Sequence, residues 1–232
     1  MVRYRLTIAY DGTDFCGWQK QEPPDPDALV EPGGERPRLI LRTVQHVVEQ
    51  AVREIVREPV LLQGASRADA GVHVLGQVAC FTCSGDGDPD ARHGGWPLDR
   101  GTERLRKALN GRLPDDVLVT LVEPVALEFD PIADCVSKGY SYTIHDAIER
   151  CLWDRRYVQQ IWQPLDHEAM HDAARVLVGE HDFASFAAAG HGRQTTVRTI
   201  HACDVSRPEP NRVRLDVSGN GFLYNMVRII AG

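Results

Sequence analysis

The chain opens with an alternation of apolar and polar side chains. Val2, Tyr4, Leu6, Ile8 and Tyr10 fall on one face and Arg3, Arg5, Thr7 and Ala9 on the other, the period of a half-buried strand. The period then lengthens. Thr43 stands where it can cap a helix, and Val44, Val47, Val48, Ala51, Val52 and Ile55 recur at the spacing of one helical face. Short apolar runs at 60–62 and 78–81 predict strands. A helix follows over 98–113, with Leu105, Ala108 and Leu109 inward, and then a strand over 117–122. This order, β-α-β-β-α-β, is the split-βαβ arrangement. The later chain starts again, with a strand at 140–144, a helix at 166–178 and strands at 199–206 and 212–218 joined by a turn at 208–211. An apolar helix runs from Phe222 onward. The weak repeat predicts an α+β protein of two related halves, 1–124 and 125–232, with a cleft between their sheets.

Two stretches interrupt the pattern. Residues 22–42 carry Pro23, Pro24, Pro26, Pro32, Pro37, Gly33 and Gly34, and 84–97 is acidic and rich in glycine. At about 20 residues the first exceeds the ~12–15 usual for a structureless connection, which predicts a mobile insertion. Composition narrows the class further. A chain of 232 residues has ample core for one large domain or two small ones. No run approaches a membrane-spanning helix, and Met-Val-Arg-Tyr-Arg-Leu leads into a strand rather than an export signal, so a cytoplasmic protein without a membrane segment is expected. The six cysteines are scattered, against a disulfide framework. Cys80 and Cys83 form a CxxC, but an odd spacing in a strand sets them on opposite faces. With 26 basic and 33 acidic residues the net charge is −7. That argues against non-specific nucleic-acid binding and leaves room for RNA in a basic cleft, because the acids cluster in apparent loops.

The candidate chemistry gathers at GASRADAGVHVLGQVACF, residues 64–81. Asp69 is flanked by Ala68 and Ala70, small neighbours that leave its carboxylate open to a bulky substrate, and Gly71 lets the backbone turn. Arg67 lies two positions earlier, on the same face of an extended segment, where its charge would favour the ionised carboxylate that a nucleophile or base needs. Tyr140 and Tyr142 share a face of a predicted strand, as core aromatics or as a stacking platform. Arg228 is the one charge in the apolar run 222–230; buried, it would require a carboxylate partner, and otherwise it snorkels to solvent. Arg100, Arg104 and Lys107 point outward at i, i+4 and i+7, a solvated face or a phosphate-contacting stripe. His167-Glu168-Ala169-Met170-His171 is an HExxH, the spacing of two zinc ligands around a general base. A catalytic zinc wants a third ligand, and the extended pattern meets Ala174 and Leu177 where glycine and histidine are needed.

The longer strings carry a resemblance. SRADAGVHVLGQVACF is similar to the central motif of the tRNA pseudouridine synthase A family, with Ala68 where the family has threonine and Val74 where it has alanine. Further blocks follow in family order: YDGTDFCGWQ, TVQ, KGYSY, GEHDFASF, VRTI and GNGFLYNMVRIIAG. Residues 129–134 depart, lacking the arginine and aromatic that many members carry. The resemblance implies a pseudouridine synthase fold, two halves sharing a mostly antiparallel sheet, usually as a homodimer. It implies isomerisation of uridine to pseudouridine in the tRNA anticodon stem-loop, around positions 38–40, with no cofactor or metal. By position in the motifs, Asp69 would be the nucleophile, Tyr140 would stack on the uracil and Arg228 would pair with Asp69. Arg67 would fill the space left as the nucleotide leaves its stack. Two other readings stand beside it, a zinc hydrolase on His167 and His171 and a catalytically inactive RNA-binding module. By the repeat and by the family pattern one more strand is due after Gly232, so a C-terminally truncated second half is expected.

Overall fold

The opening alternation becomes β1, Val2–Tyr10, with Tyr4, Leu6, Ile8 and Tyr10 buried. In this computed structural model, which describes residues 1–28, 34–85, 94–188 and 194–232, the chain divides into two units, Met1–Asp134 and Cys135–Gly232. The first unit places β1 at the centre of a four-stranded sheet with β2 (Gln63–Gly64), β3 (Val74–Cys83) and β4 (Val117–Val125), in the order β2-β3-β1-β4 and antiparallel throughout. Helices α1 (Val44–Val56) and α2 (Thr102–Asn110) complete the predicted β-α-β-β-α-β order.

Thr43 does cap α1, its hydroxyl accepting from the His46 N–H. Val44, Val48, Ala51, Val52 and Val56 meet the inward face of β1 in one core with Phe81, Leu105 and Leu109. Each large side chain so buried contributes roughly 1.5–3 kcal/mol. Cys83 joins this core and Cys80 lies on the other face beside Arg3, as the odd spacing requires. All six cysteines are free.

Three expectations in this unit are corrected. The predicted helix over 98–113 is two pieces, a short 3-10 turn at Leu98–Arg100 and then α2, because Gly101 between them has φ +80° and ψ 145°. The run 60–62 is not a strand; β2 starts at Gln63. The stem of 22–42 is paired chain rather than structureless, since Asp25 N–H donates to the Pro37 carbonyl (2.8 Å) and Leu39 N–H to that of Pro23 (2.9 Å). Its tip, 29–33, lies outside the described residues, as do 86–93 of the second insertion.

The second unit is a five-stranded sheet in the order β6-β5-β9-β8-β7, built from β5 (Lys138–Asp146), β6 (Gln159–Ile161), β7 (Gly179–Asp182), β8 (Val197–Glu209) and β9 (Arg212–Gly219). Only β5 and β6 are parallel. Helix α3, His167–Arg175, capped by the Asp166 side chain, lies on β8, and α4 is Met226–Ala231. The two edge strands were not predicted. Gln-Gln-Ile and Gly-Glu-His-Asp are too short and too polar to show a period of two. Among the described residues no helix is long and apolar enough to cross a membrane.

A buried ion pair ties this unit together. Asp146, at the end of β5 and 3 % exposed, receives both guanidinium nitrogens of Arg207 on β8 (2.9 and 2.7 Å) and the Leu165 N–H (3.0 Å). Arg207 also donates to the Leu165 carbonyl (2.8 Å), fastening the approach to α3. These bonds, Arg207 foremost, hold the Asp146 carboxyl down from 3.8 to about 2. A depressed carboxylate adds stability that is fully present above about pH 4 and is lost as pH falls through about 2. Urea unfolding is therefore expected to show about 2 kcal/mol of stability lost across that window. Asp146→Asn should lower stability at neutral pH by about 2–4 kcal/mol and flatten the acid limb; an acid limb parallel to wild type would remove the pair from this role.

Candidate active site

Asp69 sits at the first position of a tight turn. Val72 N–H donates to the Asp69 carbonyl (3.2 Å), and Gly71, at the third position, has φ +76°. A type II turn takes glycine there because a Cβ would be strained. The turn is the tip of the β2–β3 connection. Buried Gln77 closes its base, donating to the Ser66 carbonyl (2.7 Å) and accepting from the Ser66 hydroxyl (2.8 Å).

One side of the turn rests on the loop after β1. Trp18 N–H donates to the Ala68 carbonyl (3.0 Å) and Gly71 N–H to that of Phe15 (3.4 Å). Gly12 passes so close to Val72 that a Cβ would stand 2.0 Å from its carbonyl oxygen. His73 joins the two segments, with Nδ1 3.0 Å from Asp11 Oδ1 and 3.2 Å from the Gly12 nitrogen.

Helix α1 holds the approach to this turn from beneath. Buried Gln45 accepts from Lys20 N–H (2.9 Å) and donates to the Leu62 carbonyl (2.8 Å). Buried Glu49 accepts from Leu62 N–H (3.0 Å) and pairs with Lys20 (2.7 Å) and Arg53 (2.8 Å). Arg53 Nε donates to the Val60 carbonyl (2.9 Å). Side chains of one helix thus take backbone groups of 60–62 that a neighbouring strand would otherwise bind, and among the described residues this run pairs with no strand.

Asp69 itself projects from this fixed backbone as an exposed side chain, and so does Arg67. No ion pair joins the two among the described residues. Arg104 and Lys107 are exposed on α2, but Arg100 belongs to the 3-10 turn before Gly101, where its guanidinium lies 4.3 Å over the Trp96 ring. The three therefore do not form one helical stripe.

In the second unit Tyr140 lies on β5 opposite Val217, half-buried, and its ring meets Phe222 edge-on at 4.9 Å. Arg228 is exposed on α4. The expected helix, apolar all round and buried from Phe222, is corrected. Helix α4 begins only at Met226, after Asn225 adopts φ +58°, and Ile229 is 39 % exposed. Phe222 and Leu223 pack instead from the irregular chain before a turn at 224–225. The HExxH histidines face β8. Val205 N–H donates to His171 Nδ1 (3.2 Å) and Arg207 Nε to His167 Nδ1 (3.4 Å). Among the described residues no group of three His, Cys, Asp or Glu side chains is arranged to hold a metal ion.

A family model described as tRNA pseudouridine synthase matches residues 173–232. The tRNA pseudouridine synthase A 2 of Clostridium tetani is 37% identical, over 98% of this chain and 80% of its own length. Those named tRNA pseudouridine synthase A from Geobacter sp. (strain M21) and Citrifermentans bemidjiense are 39% and 40% identical, over all of this chain and 81% and 80% of theirs. The chain belongs to the tRNA pseudouridine synthase family.

Asp11, Gln45, Glu49, His73 and Gln77 were not singled out, yet they hold the Asp69 turn. A signal existed for two of them. Gln45 and Glu49 are polar residues among the buried valines of an otherwise amphipathic helix, and a buried polar side chain needs a partner. Gly12→Ala is expected to cost about 1–3 kcal/mol in thermal unfolding and to speed hydrogen exchange at Val72 N–H. Gly76→Ala, whose Cβ would find nothing nearer than 3.8 Å, should be neutral or mildly stabilising. Equal effects of the two would show that close approach at Gly12 does not hold the turn.

Proposed function

We propose that this protein isomerises uridine to pseudouridine in tRNA, acting in the anticodon stem-loop around positions 38–40. The observation that carries the reading is Asp69. It matches the nucleophile of the family motif and stands exposed on a pinned turn, between alanines that admit a nucleotide.

The reaction breaks the bond from ribose C1′ to uracil N1, turns the base in place and joins C1′ to C5. The C5 proton is lost and N1 gains one, so nothing is oxidised or hydrolysed and no cofactor or metal enters the reading. Asp69 supplies the nucleophile. Tyr140 stacks on the uracil from a strand, braced by Phe222. Arg67, exposed beside the turn, fills the space vacated by the extruded nucleotide, an extrusion costing a few kcal/mol. Arg228, exposed on α4, matches the arginine of the family's third motif and is assigned to the active site on that match alone. Arg104 and Lys107, with Arg100 beyond the break, contact phosphates. On the family resemblance alone we read the protein as a cytoplasmic homodimer.

The test uses a tRNA transcript tritiated at uracil C5. Wild type should release tritium. Asp69→Asn, isosteric but not nucleophilic, should release none above background while tRNA affinity stays within a few-fold; retained release would take Asp69 out of the mechanism, and no release from wild type would leave an inactive RNA-binding module. His167→Ala with His171→Ala should lower the melting temperature, because two hydrogen bonds to β8 are lost, and leave release within a few-fold. A stoichiometric zinc lost on that double change would contradict this.

A further inference from the structure

The sequence reading left one surface of the second unit unused. The segment between β5 and β6 carries Arg150, Trp153, Arg155 and Tyr157, and Trp162 follows β6. Trp153 is 87 % exposed, Trp162 57 % and Tyr157 51 %, more aromatic surface than a soluble face ordinarily leaves uncovered.

The segment is anchored. Gln160 donates to the Ala147 carbonyl (2.8 Å) and accepts from Cys151 N–H (3.1 Å), and Arg212 on β9 pairs with Asp154. Between these ties lies a cleft of about 220 Å³ lined by Arg150, Cys151, Arg155, Val158, Gln160 and Trp162. That is below the ~300–1,000 Å³ of clefts that enclose drug-sized ligands and suits one flat ring system. Arg150 is exposed and has no hydrogen bond or ion pair among the described residues. Among the described residues Arg155 donates only to the Leu152 carbonyl (3.1 Å). Of the loop's two acids, Asp154 is paired with Arg212, and Glu149 lies exposed beside Arg150, so Arg150, Arg155 and Arg156 still leave a local excess of positive charge.

We propose that this cleft binds one unpaired nucleotide of RNA, the base stacked on Trp162 and the flanking phosphates met by Arg150 and Arg155. The inference rests on the reading of the protein as a tRNA-modifying enzyme and adds a second contact away from Asp69. Guanidinium groups interleaved with exposed aromatic rings are the recognition surface for single-stranded nucleic acid, where stacking supplies affinity and the cations track the backbone. On a chain of net charge −7, a local excess of arginine is where phosphates are drawn. A second copy of this chain fits less well, since a two-fold contact centred here would set the same arginines against each other.

The test measures binding of an unmodified tRNA transcript by fluorescence anisotropy over a salt series, with tritium release and light scattering alongside. Trp162→Ala should weaken binding about tenfold, within the range for a lost base stack, and Trp162→Tyr should restore it to within a few-fold. Arg150→Gln with Arg155→Gln, at exposed side chains, should reduce the slope of log affinity against log salt by about 1.4–1.8, two phosphates' worth. Wild-type affinity and slope in both altered proteins would overturn the cleft. So would a loss of affinity that appears only with a drop from dimer to monomer mass, which would assign this face to a contact between copies. A wild-type protein that neither binds the transcript nor releases tritium would instead sink the underlying reading, a different result from the first two.

Discussion

The position of Asp69 depends on one constraint, that three stretches of backbone run almost in contact. The loop after β1, the start of α1 and the chain from Val60 to Val74 are joined by main-chain hydrogen bonds and by the buried side chains of Gln45 and Glu49. Hydrogen bonds to a charged group contribute roughly 1.5–3 kcal/mol each, and leaving such a group buried without a partner costs more. Glu49 has three partners at 3.0 Å or less, so the approach to the turn is fixed before any substrate arrives. A nucleophile benefits from this, because misplacement by about 1 Å can cost a hundredfold in rate.

The second unit uses the same device with different residues. Asp146 and Arg207 join β5 to β8 and, through Leu165, to the approach to α3. That leaves the KGYSY strand firmly paired to β9 along its length, and Tyr140 presents a half-buried ring from a rigid element rather than from a loop. In both units, then, residues matching the family motifs project from backbone whose polar groups are already satisfied.

Much of this was legible in the sequence. The alternation of β1, the Thr43 cap and the existence of α1, β3 and β4 follow from period and capping, and the central motif singled out the turn at Asp69–Val72. Other features were hidden for physical reasons. A two-residue strand such as β2 has no periodicity, and the polar edge strands β6 and β7 bury too little to show one. The break at Gly101 depends on a positive φ that a lone glycine permits without announcing it. Phe222 and Leu223 pack from irregular chain before α4, and an apolar run does not by itself distinguish irregular chain from a helix. Apart from Arg53, one helical turn on from Glu49, the partners of Gln45 and Glu49 lie 13 to 29 residues away along the chain, beyond any local pattern.

The role proposed for Asp69, an exposed carboxylate on a pinned turn, is uridine isomerisation in tRNA. It is tested most directly by incubating the protein with an unmodified tRNA transcript and mapping pseudouridine at single-nucleotide resolution. The account predicts conversion confined to the anticodon stem-loop, around positions 38–40. A folded protein that leaves every uridine of that transcript unchanged, or that converts uridines only outside the stem-loop, would contradict it.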